Sequence, residues 1–333
     1  MKFIHTADIH LDSPLVGVSD GKTRRYELLK AVANMSDYAD NNGISAIVVA
    51  GELFVSPQTI RGVAEIINGS KARWFVLCGN HGDRTPYDKL HEICNTVAFF
   101  DDNWTTYRMG NVVFCGRELS PDDTAPWQDM PLSEDDYNVV VLHGDIDGKM
   151  LSTAPVNYVA LGHRHALQTL SFGRHKGAYS GTLEARGFDE TAPTGFVVVD
   201  TDKDEITFVK QALRRVVTRQ IALSKADSDI AAERTIADAV ADESPRNYLN
   251  VVLVGTVNRS VRAEYVAKQY LTGKFFALRI QNDTKVQRDL AKLAEEVSLR
   301  GEFVKLALQI EDETERNRVL DMGLAALDGE ELQ

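Results

Sequence analysis

The chain has 333 residues, 44% apolar and 26% charged, with 37 Lys and Arg against 49 Asp and Glu for a net charge of −12. That is an ordinary soluble composition, long enough for a domain of about 200 residues and a smaller one. No apolar run approaches the ~20 residues of a membrane-spanning helix.

The charge is uneven. Residues 213–300 hold 15 basic and 11 acidic side chains, residues 301–333 hold 3 and 9, and the first 212 residues hold 19 and 29. The acidic total therefore does not decide against a nucleic-acid partner, and some of the N-terminal acids are candidate metal ligands. The start, "MKFIHTADIH", lacks the long apolar region of a secretory signal. The three cysteines, Cys78, Cys94 and Cys115, form no Cys-x-x-Cys pair, which argues against disulfides or a zinc knuckle. A cytoplasmic protein is expected.

In chain order, "KFIHTA" predicts a strand and "TRRYELLKAVANMSDYADNNG" a helix stopped by Asn42-Gly43. "ISAIVVAG" is the next strand. "SPQTIRGVAEIING" follows as a helix, with Ser56 at the N-cap, Pro57 at the first helical position and Gly69 as stop. "RWFVLCGN" is a third strand, and this βαβαβ order implies a parallel sheet. Beyond Asn95 the pattern becomes strand-rich, through "TTYRMG", "NVVFCGR", "YNVVVLHG", "NYVALGH", "GFVVVDT" and "EITFVKQAL". Two packed sheets inside flanking helices are expected, with 120–136 a surface loop. After a boundary near 212–216 come a strand "RRVVTRQIAL", a helix in 226–242, a strand "YLNVVLVGTV", a helix near 261–271 and a strand "FFALRIQND". From 284 onward the chain reads as helical and increasingly acidic.

Five segments place a metal-capable side chain just after an apolar strand: Asp8 and His10 in "TADIH", Glu52 in "AGELF", Asn80 and His81 in "LCGNHG", His143 in "VVVLHGD", and His163 and His165 in "ALGHRH". Ligands of open α/β sheets collect at the carboxyl ends of strands. Mixed nitrogen and oxygen donors suit a borderline divalent ion such as manganese, iron or zinc. In "DIH" and "HRH" the paired residues, two apart, point the same way if the chain is extended. The two oxygens of Glu52 could bridge two ions about 3.5–4 Å apart. A single histidine at a strand end is more often a hydrogen-bonded structural residue, and His5, His91 and His175 are read so. Arg164, "GRHK" at 173–176 and "LRRVVTR" at 213–219 could meet phosphate, but an ordinary solvated loop or edge strand explains each equally well.

These motifs resemble those of the calcineurin-like metallophosphoesterases: D-x-H, G-D, G-N-H-D, H and G-H-x-H. "FIHTADIHLDSPLVG" and "YSGTLEARGFDETAPTGFVVVD" further resemble bacterial DNA-repair exonucleases of the SbcD type, in the YhaO-like branch. The resemblance is dense over residues 1–200 and looser beyond. It implies a four-layer α/β/β/α nuclease domain (1–212), a small α+β capping domain (213–300) and a C-terminal helical segment (301–333). It implies a two-metal Mn²⁺-dependent hydrolase acting in DNA double-strand-break repair. Expected partners are DNA ends and an SbcC-type coiled-coil ATPase, with a second copy of the chain as a further one and no membrane. By the same resemblance Asp8, His10 and His165 hold one metal, Asn80, His143 and His163 the other, and Glu52 bridges them, while His81 protonates the leaving oxygen or stabilises the pentacovalent phosphorus.

Two positions depart from the family pattern. Glu52 replaces an aspartate, and Gly82 stands where a carboxylate would orient His81, although Asp83 is one residue on. Both departures point to reduced or altered activity. A phosphodiesterase on a non-nucleic-acid substrate and a catalytically weakened or inactive subunit that binds DNA or an ATPase stay open beside the nuclease reading. Finally, Val319, Leu320, Leu324 and Leu327 share a helical face. That stripe would either pack on its own cap or dock on the coiled coil of the ATPase.

Overall fold

A computed structural model describes residues 1–15, 21–79, 84–94, 96–119, 129–146, 156–172, 175–287 and 289–327. The chain forms two compact units: residues 1–219 with 242–251 and 271–279, and residues 220–241 and 252–270 with those from 280 on.

In the first unit, strands β1 (Lys2–Thr6), β2 (Ala46–Ala50), β3 (Arg73–Leu77) and β4 (Val97–Phe99) run parallel. The antiparallel strands β11 (Gly195–Asp200) and β12 (Glu205–Lys210) complete a six-stranded sheet in the order β12-β11-β1-β2-β3-β4. A second six-stranded sheet has the order β5-β6-β7-β8-β10-β9. Its parallel centre is β6 (Val112–Gly116), β7 (Tyr137–His143), β8 (Tyr158–Gly162) and β10 (His175–Tyr179), flanked by antiparallel β5 (Thr105–Met109) and β9 (Gln168–Phe172).

Strand alternation explains the layering. Ile47 and Val49 of β2 face helices α1 (Gly21–Asn41), α2 (Ile60–Gly69) and α3 (Thr85–Ile93), packing with Leu28, Met35, Val63 and Leu90. Ala46, Val48 and Ala50 face the other sheet and pack with Phe75, Phe114, Val139, Val141 and Tyr158. Strands buried on both faces have to read as continuous apolar runs, as "AIVVA" does. The mixed α/β fold with two parallel-rich sheets is as expected. Among the described residues no helix lies on the outer face of the second sheet, where Leu119, Leu132, Ile146 and Leu170 pack instead. Residues 120–128 and 147–155 lie outside the description.

Some local expectations need correction. Ser56 precedes a 3₁₀ turn, Pro57–Thr59, but does not cap it. Its hydroxyl donates to Asp12 Oδ2 at 3.2 Å, and that same oxygen accepts the Thr59 N–H at 3.0 Å, so Asp12 supplies the cap. Helix α3 and the hairpin β9–β10 were not predicted.

A third sheet has β14 (Tyr248–Val257) between β13 (Val216–Ala222) and β15 (Ala277–Val286). In the second unit, Ser228 caps helix α4 (Asp229–Ala239) by accepting the Ala231 N–H, and helix α5 (Ala263–Leu271) begins there. Helices α6 (Leu290–Glu295), α7 (Leu299–Ala307) and α8 (Glu313–Leu327) close the described chain. Leu320 and Leu324 are buried against Val304 and Ala307, with Val319 partly buried beside them. The stripe on α8 thus packs on its own neighbours, and these leucines are not presented to a partner. Leu327 remains 40% exposed.

Candidate metal centre

The segments that follow β1, β2 and β3 are joined by backbone hydrogen bonds beyond the strands proper. The Asp8 N–H donates to Gly51 O at 3.1 Å, the His10 N–H to Glu52 O at 2.8 Å and the Glu52 N–H to Cys78 O at 2.9 Å. The Tyr87 hydroxyl ties the same ends together, donating to Cys78 O at 2.8 Å and accepting the Leu53 N–H at 3.1 Å. Glu118 accepts the Cys78 and Gly79 N–H groups at 2.7 and 3.1 Å. Burial pushes its carboxyl up to about 7, against the pull of those two bonds.

Within this frame four of the candidate ligand residues are not extended. Asp8, His10, Glu52 and His163 all have positive φ, at 52°, 48°, 58° and 104°. Each is a strained conformation for a residue with a Cβ and persists only where its surroundings over-determine it. The expectation that "DIH" and "HRH" align their side chains along an extended chain is therefore wrong; left-handed turns aim them instead.

Asp8, His10 and His165 converge. His10 Nε2 and His165 Nε2 are 3.3 Å apart, and Asp8 Oδ1 lies 3.9 Å from each. Donors around a first-row divalent ion with bonds near 2.0–2.2 Å sit roughly 3.0–3.4 Å apart, so this trio would hold one with little adjustment. Around it stand Glu52 and His143. Glu52 Oε2 is 3.9 Å from His10 Nδ1 and Glu52 Oε1 is 3.8 Å from His143 Nε2, which places one carboxylate oxygen toward each. His143 Nδ1 meets Ala50 O at 2.8 Å, so a proton on Nδ1 leaves the Nε2 lone pair toward Glu52 and Asp8. His163 sits at the rim, its side chain 41% exposed and its Nε2 3.8 Å from Asp145. Its ring centroid is 5.5 Å from that of His143, and its N–H donates to Asp8 Oδ2 at 2.9 Å. Asn80 and His81 lie outside the described residues.

Glycines make the close approach feasible. A Cβ on Gly51 would fall 2.1 Å from His143 Nδ1, one on Gly79 2.7 Å from Glu52 Oε1, and one on Gly162 1.9 Å from Ala50 O. The cage is built from carboxylates and imidazoles packed where only backbone fits between them.

Burial raises the Asp8 carboxyl to about 6, opposed by the His163 N–H and by the charges of His165, His163 and Arg186. A hydrogen bond from His165 Nδ1 to Glu190 Oε1, 2.6 Å long, raises the imidazole against the effect of burial. Glu190 feels burial pushing it up, yet His165 and the Arg186 N–H hold it below the usual carboxylate range. Glu190 was missed in the sequence, where "GFDET" offers no strand end or ligand spacing. A carboxylate on the far nitrogen of a ligating histidine fixes its tautomer and raises its basicity. Among the residues read as structural, His5 is fully buried with its ring nitrogens at Tyr158 OH and Leu161 O, and burial lowers it to about 3. His91 stands exposed on α3 against Phe99, and the side chain of His175 is outside the description.

Four of the cations considered for phosphate are committed elsewhere, and Arg174 lies outside the described residues. Arg164 donates to Asp145 and Gln168, Lys176 pairs with Asp204, Arg214 donates to Glu27 and Arg219 pairs with Glu243.

A calcineurin-like phosphoesterase family profile matches residues 1–167. An uncharacterised metallophosphoesterase, YhaO of Bacillus subtilis (strain 168), is 25% identical over 261 residues. That match spans 67% of this chain and 63% of the relative, so the chain covers less than two thirds of the relative's length. Among solved structures, a novel archaeal phosphodiesterase superposes with a TM-score of 0.42 at 14% identity, covering 63% of this chain and 100% of that one. A putative 5′-nucleotidase from Staphylococcus aureus gives 0.42 at 16% identity, covering 65% of this chain and 54% of that one. No helix among the described residues is long and apolar enough to cross a membrane.

Proposed function

Because this chain belongs to the calcineurin-like phosphoesterase family, a family of metal-dependent phosphoester hydrolases, we propose that it hydrolyses phosphodiester bonds in DNA using two divalent ions, Mn²⁺ in the working enzyme. The observation that carries the reading is the convergence of Asp8, His10 and His165, with Glu52 and His143 within 4.0 Å of that trio. Asp8, His10 and His165 would hold one ion, His143, His163 and Asn80 the second, and Glu52 both. When bound, such ions supply Lewis acidity and a nucleophile at neutral pH, so no side-chain nucleophile is required. The residues of the chain then have three tasks. Glu52 and Asp8 neutralise the ions, Ala50 O and Glu190 hold the tautomers of His143 and His165, and His81 gives a proton to the leaving oxygen.

The nuclease assignment is supported by the net-positive segment 213–300 and by the sequence resemblance to SbcD-type exonucleases. In the same reading the partners are DNA ends and a coiled-coil ATPase of the SbcC type, and residues 213–300 act as a cap. The test is incubation of linear duplex and single-stranded DNA with Mn²⁺, using the parent protein and His143→Ala. Cleavage by the parent alone is expected. A metal-loaded parent that hydrolyses bis(p-nitrophenyl) phosphate but leaves both DNAs intact moves the substrate away from nucleic acid, and failure to bind any divalent ion overturns the hydrolase reading.

A further inference from the structure

Arg186 lies in the segment that supports His165. Thr182 Oγ1 donates to the Asp8 carbonyl at 2.8 Å, and the Ala185 carbonyl accepts Arg24 at 2.7 Å. The Arg186 N–H donates to Glu190 Oε2 at 2.9 Å, while the other oxygen of that carboxylate takes His165 Nδ1. The backbone of Arg186 is therefore fixed one hydrogen-bond chain from a candidate metal ligand.

Its side chain is different. Among the described residues the guanidinium forms no hydrogen bond or ion pair, and its Nε is buried without an acceptor. Its charge still reaches Asp8, His165 and Glu190. Leaving a buried donor unmade is costly, and a bound ligand is one of the few things that make such a group worth keeping. An arginine fork matches the oxygens of a phosphate; of the neighbouring cations, Arg164 is bonded to Asp145, and Arg24, whose Nε is likewise without an acceptor, is held by the Ala185 carbonyl.

We propose that Arg186 is a phosphate-binding residue of this site, donating to a non-bridging oxygen of the substrate phosphoester. The inference rests on the hydrolase reading and deepens it. The competing role is electrostatic, in which Arg186 only offsets the charges of Asp8 and Glu190. The two roles part on the lysine variant: a mere offset is restored in full by any cation and its loss strengthens metal binding, whereas a phosphate ligand loses phosphate affinity at constant metal content and lysine, without the planar fork, restores only part of it.

The experiment uses the full chain loaded with Mn²⁺, comparing the parent with Arg186→Ala and Arg186→Lys. Metal content, thermal midpoint, calorimetric affinity for inorganic phosphate, and KM and kcat for bis(p-nitrophenyl) phosphate are measured. Arg186→Ala is expected to weaken phosphate binding by about 10- to 100-fold, the span for a hydrogen bond to a charged group. KM should rise while metal content and midpoint match the parent, and Arg186→Lys should recover part of the loss. Phosphate affinity equal to the parent's, or a loss accounted for by altered metal content, overturns the inference. DNA cleavage by the parent with unchanged phosphate affinity in Arg186→Ala sinks this inference alone. Phosphate binding that depends on Arg186 in a parent that cuts no DNA sinks the nuclease reading alone.

Discussion

Replacing Glu190 by glutamine keeps the size of the side chain and removes its charge. The carboxylate accepts from His165 Nδ1 at 2.6 Å and from the Arg186 N–H at 2.9 Å. A glutamine has one oxygen, so its amide nitrogen must confront one of those two donors. A hydrogen bond to a charged group is worth about 1.5–3 kcal/mol and a neutral one about 1 kcal/mol, so the imidazole loses roughly 1–2 kcal/mol of its support. That corresponds to a roughly 5- to 30-fold weaker Mn²⁺ affinity at about 1.4 kcal/mol per decade, overlapping the lower part of the 10–100-fold range seen for partners of metal-ligating histidines. Calorimetric titration of Mn²⁺ into metal-free protein measures it.

A second readout comes from pH. His165 is raised above 6.5 by Glu190, and a raised imidazole adds stability that is present below 6.5 and lost as pH climbs through the folded value. Glu190 is depressed below 4.5, so its share is present above 4.5 and lost as pH falls through the folded value. The melting temperatures of metal-free parent and Glu190→Gln should differ most between those limits and draw together outside them. An unchanged Mn²⁺ affinity together with an unchanged pH profile refutes the reasoning.

Gly79→Ala puts a Cβ 2.7 Å from Glu52 Oε1 at a residue with φ +94°. It should cost about 1–3 kcal/mol in urea denaturation and also lower Mn²⁺ affinity. Gly43→Ala, with φ +63° and nothing within 4 Å, should show only the backbone cost of about 1–2 kcal/mol and leave metal affinity unaltered. Because burial lifts Asp8 to about 6, metal must displace its proton in acid, so calorimetry across buffers should show affinity falling below about pH 6, by up to roughly tenfold per unit. Leu324→Ala empties a fully buried position beside Val304 and Leu320 and should cost about 2–5 kcal/mol, read as faster hydrogen exchange in α7 and α8.

The parallel strands were legible because burial on both faces leaves no room for polar residues. The candidate ligands that the structure brings together, Asp8, His10, Glu52, His143 and His165, could be picked out because each lies at or just beyond the end of such a strand, as His143 follows "VVVL". The hairpin Gln168–Tyr179 was not, since β9 begins on a polar residue and β10 on "HK" with Gly177, a composition that also reads as loop. Conformation at the ligands was illegible for a different reason. Left-handed backbone at Asp8 and Glu52 is imposed by hydrogen bonds to partners dozens of residues away, not by local preference. Glu190 was hidden in the same way, as its contacts with His165 and the Arg186 N–H exist only once "EARGFDE" lies against His165. The stripe on α8 was read correctly as a helical face, but periodicity alone does not distinguish a neighbouring helix of the same chain from a partner.

His10 Nε2 and His165 Nε2 meet at 3.3 Å across 155 residues of sequence. Contacts that distant are among the last to form in a folding chain, because loop closure has to be met before they return anything. During synthesis Asp8, His10 and Glu52 emerge long before the histidines of β7 and β8, and His165 lacks its carboxylate until Glu190 has also appeared. A half-made chain therefore offers scattered weak donors and no cage. If the centre holds the divalent ions proposed for it, their uptake by refolding protein would run as a stopwatch on the docking of the two sheets, starting only when that event is over.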